Sequence, residues 1–256
     1  MSRKIEAVIF DWAGTTVDYG CFAPVGAFTE VFKNAGIEPT IEEVREPMGM
    51  LKWDHIRTML EMPRIKKAWI EKYQAEPTDA DADRLYKEYE PYLLKTLDQF
   101  SDPKPYVTET AAKLREMGIK IGSTTGYTDV MMNVVVPKAK ELGYSPDCWV
   151  SPDSTNGMGR PYPYMVFENL KALKVSAVDK AMKVGDTVSD ILEGKNAGLF
   201  TVGILEGSSA VGLSQAEYEA LSEAEKAAKL AEAEEKYKKA GADAVVKDIR
   251  GILEYI

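Results

Sequence analysis

The chain has 256 residues, 45% of them hydrophobic and 29% charged, with a net charge of -9 and a pI near 4.9. That balance supports a sizeable core, with room for a smaller insertion, held without disulfides or a structural metal. The acidity, with lysines and arginines scattered, argues against nucleic acid or anionic membrane as a partner, and the two distant cysteines, Cys21 and Cys148, exclude a disulfide framework.

The apolar stretch Ile5–Phe10 is too short for a secretion signal. No run reaches the ~18 apolar residues of a membrane-spanning helix. Reduced thiols then fit a soluble protein of the cytoplasm.

Ala7–Phe10 reads as a first buried strand that stops at Asp11. From about Cys21 to Phe100 the pattern is helical and lacks strand-like runs. Thr40 and Glu43 match a capping box, Pro47-Met48-Gly49 interrupts, Leu51–Glu61 resumes before Pro63, and Asp79–Leu97 is amphipathic. Val107–Met117 is a further helix, followed by a short strand at Ile119–Ile121 that leads into Gly122-Ser123-Thr124-Thr125-Gly126. Cys148–Val150, Ala181–Val184 and Phe200–Ile204 are three more strands, with a helix at Tyr164–Leu173 between the first two. Ser214–Ala240, rich in Ala, Glu and Lys, reads as a solvated helical segment. Ala244–Val246 and Ile249–Ile256 close the chain as a strand and a terminal helix.

Short apolar strands alternating with helices predict a doubly wound parallel α/β sheet. The predicted core comprises residues 1–20 and 100–256, with an all-α cap domain inserted at 21–99. Ligands bind such sheets at the carboxyl ends of the strands, which directs attention to Asp11, Thr125, Arg160 and Asp186.

Asp11 begins Asp11-Trp12-Ala13-Gly14-Thr15-Thr16-Val17-Asp18. A carboxylate there is either the start of a turn or a nucleophile or metal ligand beside a backbone anion cradle. Asp186 and Asp190, in Gly185-Asp186-Thr187-Val188-Ser189-Asp190, are either loop and helix-cap residues or oxygen ligands of a hard cation. Two such clusters at matching strand ends favour the second reading, with Asp11 and Asp186 seating Mg2+.

Taken together these segments resemble the haloacid dehalogenase superfamily of aspartate-nucleophile phosphotransferases. Asp11–Val17 is similar to its first motif, Thr125 to its second, Gly159-Arg160-Pro161-Tyr162-Pro163 to its third and Gly185–Asp190 to its fourth. Phosphatases of the superfamily carry a general-acid aspartate two residues after the nucleophile. Here that position is Ala13. An alkoxide leaving group would lose proton transfer worth ~100- to 10,000-fold.

Lys52, in Met48-Gly49-Met50-Leu51-Lys52-Trp53-Asp54-His55, offers a different chemistry. Met48, Leu51 and Met59 surround it with apolar side chains that could lower its amine pKa, and a neutral amine condenses with an aldehyde. His55, the only histidine, lies on the same helical face. The pairing of an absent acid with a cap lysine resembles the phosphonatase branch of the superfamily, which cleaves the carbon–phosphorus bond of phosphonoacetaldehyde. That resemblance implies an Asp11 nucleophile, a Lys52 Schiff base, and metal ligation by Asp11, the Ala13 carbonyl and Asp186, with Asp190 close by. It further implies that Thr125 and Arg160 hold the phosphoryl group, with Gly126 leaving room. Met48, Gly49, Cys21, Tyr127 and His55 would neighbour the imine, His55 as a proton shuttle or as a hydrogen-bonded interior residue. A homodimer through the cap follows from the same resemblance, with Trp53, Met59, Met62 and Trp69 compatible with an interface or with burial inside the cap. Rival expectations are a phosphomonoester phosphatase or sugar phosphomutase, a haloacid dehalogenase, and an inactive phosphate-binding scaffold.

Overall fold

A computed structural model describes residues 4–256. In chain order its elements are β1 (Ala7–Phe10), α1 (Phe22–Asn34), α2 (Ile41–Arg45), α3 (Lys52–Glu61), α4 (Pro63–Tyr73) and α5 (Asp79–Leu94). They continue with α6 (Val107–Glu116), β2 (Lys120–Thr124), α7 (Asp129–Glu141), β3 (Cys148–Val150), α8 (Tyr164–Ala172) and β4 (Ala181–Gly185). The last are α9 (Val188–Asn196), β5 (Phe200–Ile204), α10 (Gln215–Ala220), α11 (Glu223–Lys239) and β6 (Ala244–Val246).

All six strands are parallel, in the order β3-β2-β1-β4-β5-β6. β1 and β4 are buried along their whole length, as strands covered by helices on both faces must be. The strand order reverses between β1 and β4, and a doubly wound sheet opens its ligand crevice at that point. Phe10 lies level with Ser123 on one side and Val184 on the other. Asp11, Thr124 and Gly185-Asp186 therefore emerge together at one edge.

Between β1 and α6 all regular structure is helical. Capping boxes at Thr40 and Thr78 start α2 and α5, and Pro63 opens α4 at a position where its missing N–H costs nothing. α1, α3 and α5 bury Phe28, Ile56, Met59, Leu60, Leu85 and Tyr89 among themselves. Phe28 stacks on Tyr89 with ring centroids 4.3 Å apart. Met59 and Trp69 are buried inside this helical insertion, which removes them as surface for a partner.

Two segments differ from expectation. β2 runs to Thr124, because Ser123 and Thr124, which look like turn residues, are buried with their hydroxyls satisfied: Trp12 Nε1 donates to Ser123 Oγ at 2.7 Å, and Thr124 Oγ1 donates to Glu193 at 2.8 Å. The Ser214–Ala240 stretch is two helices, each opened by its own capping box at Ser214 and Ser222. It is not solvated all round, since Tyr218, Ala233 and Tyr237 are buried. Residues Ile249–Tyr255 form the expected terminal helix, of 3-10 type. No helix among the described residues is long and apolar enough to cross a membrane.

Candidate active site

Asp11 leaves β1 with its N–H donating to the Val184 carbonyl at 2.9 Å, which aims its side chain into the crevice. Asp186 leaves β4 beside it. Thr15 Oγ1 donates to Asp186 Oδ1 at 2.9 Å and the Ser209 N–H donates to Oδ2 at 2.7 Å. Tyr237, from α11, donates its hydroxyl to the Asp186 main-chain carbonyl. Gly14, at φ 88°, lets the loop after β1 pass close to this carboxylate, since a Cβ there would fall 2.1 Å from Asp186 Oδ2.

Carboxylate oxygens of Asp11, Asp186 and Asp190 lie within 4.8 Å of one another, all three residues buried. Asp186 has no ion-pair partner among the described residues, and burial, then repulsion from Asp11 and Asp190, drives its carboxyl pKa well up. Buried oxygen donors of this kind suit a hard divalent cation, which would relieve both penalties.

Asp190 stands apart from the other two. It closes the capping box of α9, accepting from Thr187 Oγ1 at 2.6 Å, and pairs with Lys183 at 2.8 Å and Arg160 at 3.0 Å. These cations hold its pKa down despite burial. Arg160 pairs through Nη2 with Asp11 at 2.6 Å and through Nε with Glu193 at 3.0 Å. Lys183, wholly buried on β4, reaches Glu193 at 3.1 Å and Thr124 Oγ1 at 2.9 Å. Buried charges on this scale persist only when paired and hydrogen-bonded, and here each cation has at least two oxygens.

Across the crevice, the first turn of α3 carries Lys52. Its side chain lines a tight cavity with Asp11, Thr125, Tyr127 and Arg160. Nζ sits 4.9 Å from the centroid of the Tyr127 ring and 5.9 Å from that of Phe28. Burial lowers the Lys52 pKa to about 8. Ala13, Cys21, Met48, Gly49 and Gly126 line the same cavity. Cys21 is a free thiol pushed to high pKa by burial.

Two glycines let the helical insertion touch the core. Gly49, at φ 91°, lies against Thr187, and Gly126 lies against the carbonyls of Gly49 and Met50. A Cβ at Gly126 would stand 2.7 Å from the Met50 oxygen, a backbone atom that cannot swing aside. Gly126→Ala is expected to keep its fold and lower kcat/KM about 10- to 100-fold by holding the insertion off the core, checked by steady-state kinetics beside a thermal melt.

His55 is placed differently from the other site candidates. Its ring stacks on Phe28 at 3.7 Å, and Nε2 lies 2.9 Å from the Val44 carbonyl. It is wholly buried and does not line the Lys52 cavity. Burial, then the Lys52 charge, drives its pKa well below the usual histidine value, so the ring is neutral with Nε2–H donating.

Comparison with known proteins places the whole chain in a family. The haloacid dehalogenase-like hydrolase family model matches residues 5–198. A phosphonoacetaldehyde hydrolase of Bacillus cytotoxicus is 47% identical over 256 residues, covering 99% of this chain and 97% of that protein. The chain belongs to the phosphonoacetaldehyde hydrolase family. A bifunctional phosphonoacetaldehyde hydrolase/aminoethylphosphonate transaminase of Clostridioides difficile is 53% identical over 244 residues, which cover 95% of this chain and 38% of that longer protein. The crystal structure of a phosphonoacetaldehyde hydrolase-like protein from Oleispira antarctica superposes with a TM-score of 0.93 at 40% identity, covering 97% of this chain and 90% of that one.

For this member of the phosphonoacetaldehyde hydrolase family, the residues singled out in the sequence converge on one crevice, apart from His55. Sequence reasoning missed the supports behind them: Thr124, Lys183 and Glu193 around Arg160, Thr15, Ser209 and Tyr237 around Asp186, and Lys104. The buried Lys104 ammonium donates to the carbonyls of Gly14, Glu206 and Gly207 and so ties the loop after β1 to the loop after β5. A lysine in the middle of an apolar strand, as in Ala181-Met182-Lys183-Val184, was the one available signal.

Proposed function

We propose that this chain hydrolyses phosphonoacetaldehyde to acetaldehyde and phosphate, with Asp11 as nucleophile and Lys52 as the imine-forming amine, in the cytoplasm. The observation that carries this reading is a desolvated lysine and a buried aspartate lining one cavity while position 13 is alanine.

The Lys52 amine condenses with the aldehyde, releasing water and forming an iminium. Asp11 then attacks phosphorus. The C–P electron pair moves toward the iminium nitrogen and leaves as an enamine, so no proton donor is required at position 13. Protonation at carbon and hydrolysis return acetaldehyde and free Lys52, and water cleaves the aspartyl phosphate to phosphate and Asp11. Arg160 and Thr125 border the space for the phosphonate, with the Arg160 fork suited to phosphoryl oxygens. Burial raises the Asp11 pKa, and the ion pair with Arg160 opposes that rise and so favours the ionised nucleophile. Mg2+ would be held by Asp11, Asp186 and the Ala13 carbonyl, with Asp190 close by, and when bound it neutralises charge as a carboxylate approaches an anionic phosphonate. His55 packs behind Lys52 and takes no part in these steps.

Helices α1–α5, within residues 21–99, act as a cap that closes over the crevice and excludes water. The tight cavity fits the closed arrangement, and substrate entry then requires opening. A homodimer through the cap belongs to the same reading, and sedimentation velocity would check it.

Because only the neutral amine adds to the aldehyde, kcat/KM should rise with pH through about 8, the value to which burial lowers Lys52, and level off above it. A profile flat between about pH 6.5 and 9.5 would contradict the lysine assignment. Acetaldehyde release, followed with alcohol dehydrogenase, tests the function itself. Release that stops on chelation and returns with Mg2+, with little phosphate from monoesters, is expected; no release from folded protein would sink the proposal.

A further inference from the structure

The cap touches the core at a second place, beside the loop whose Ser209 N–H binds Asp186. Arg45 ends α2 and points out of the cap. Its Nη1 donates to the Gly20 carbonyl at 2.8 Å and the Ser209 carbonyl at 3.2 Å, and Nη2 donates to the Gly212 carbonyl at 3.3 Å. The guanidinium also lies 5.1 Å from the centroid of the Phe22 ring. Gly212, at φ 68°, makes room for it, since a Cβ there would stand 2.9 Å from Arg45 Nε. One cap side chain thus grips the loop that follows β5 by its carbonyls.

That loop is the one that holds Asp186. Ser209 offers its carbonyl to Arg45 and its N–H to Asp186 Oδ2, so one residue is bound from both sides. We propose that Arg45 is a positioning residue that couples cap closure to the metal seat through Ser209. With the cap closed, Arg45 fixes the loop and the loop fixes the Asp186 carboxylate. With the cap open, Ser209 is released and Asp186 loses a restraint on its orientation. Coupling of this kind is reciprocal, so Mg2+ must favour the closed cap as much as closure favours Mg2+. The inference rests on the cap and metal readings above.

Cys21 supplies a closure gauge, because it is buried in the cavity between cap and core. In a Cys148→Ser background it is the only thiol. Its reaction rate with a thiol reagent, with and without Mg2+, would be measured beside Mg2+ binding by calorimetry. In the parent, Mg2+ should slow labelling. In Arg45→Gln, labelling should speed up, Mg2+ affinity should fall about fivefold or more, and protection by Mg2+ should be largely lost. Arg45→Lys, which keeps the charge but cannot span three carbonyls, should fall between and guards against a misfolded glutamine variant. Mg2+ affinity within about twofold of the parent in both folded variants, or Mg2+ protection unchanged, would overturn the coupling. A parent in which Mg2+ slows labelling but which releases no acetaldehyde supports the coupling and contradicts the substrate assignment alone.

Discussion

Lys52→Ala is expected to lower acetaldehyde release from phosphonoacetaldehyde by about 10,000-fold or more, because the C–P electrons then have no iminium to move into. The loss should fall on kcat rather than on folding. Lys52 is a buried amine held over two aromatic faces without a carboxylate partner among the described residues, so removing it leaves no orphaned countercharge. Mg2+ and phosphate should still bind, since Asp11, Asp186 and Arg160 hold their arrangement through core contacts. Single-turnover kinetics together with Mg2+ calorimetry on Lys52→Ala check this division. Loss of metal binding in that variant would refute it. Lys52→Arg should be nearly as inactive, because a guanidinium keeps the charge but forms no imine at working pH.

Lys183→Met is expected to be the most destabilising single change near the site, at about 3–5 kcal/mol. The ammonium is wholly buried between Asp190, Glu193 and Thr124, and its removal leaves two buried carboxylates facing Arg160 alone. At this chain length each kcal/mol moves the melting temperature by roughly 2–4 °C, so a fall of about 6–20 °C should appear in a thermal melt. Removing one of the stranded charges as well, in Lys183→Met with Glu193→Leu, should recover part of that loss but not activity, since Arg160 would then lack its Nε partner. A melting temperature unchanged in Lys183→Met would show that the network is not under the electrostatic load described here.

Much of the fold was legible because apolar runs ended at recognisable turns. β1, β3, β5 and β6 match their predicted residues, and the helical insertion was visible from the absence of strand-like runs between Cys21 and Phe100. The end of β2 was not legible, because serine and threonine at a strand end look the same whether they open a turn or sit in a satisfied buried network. The amphipathic pattern of α11 was hidden by its Ala, Glu and Lys content, yet Tyr237 reaches the Asp186 carbonyl from it.

The residues that line the candidate site were legible because motifs concentrate them beside glycine and proline. Their supports were not, because each is set by a partner distant in sequence. Arg160 is steadied by Glu193 and Thr124, and Asp186 by Ser209. A periodicity argument sees none of these pairings. His55 shows the reverse limit, since sharing a helical face with Lys52 did not bring it to the cavity: a ring stacked on Phe28 and bonded to Val44 points inward.

The central claim is that Lys52 forms a covalent imine with the aldehyde carbon. Borohydride added to enzyme turning over phosphonoacetaldehyde, followed by peptide mass mapping, tests it most directly. The account predicts inactivation and a two-carbon adduct on Lys52, absent without the aldehyde. Acetaldehyde release that continues undiminished, with Lys52 unmodified, would contradict it.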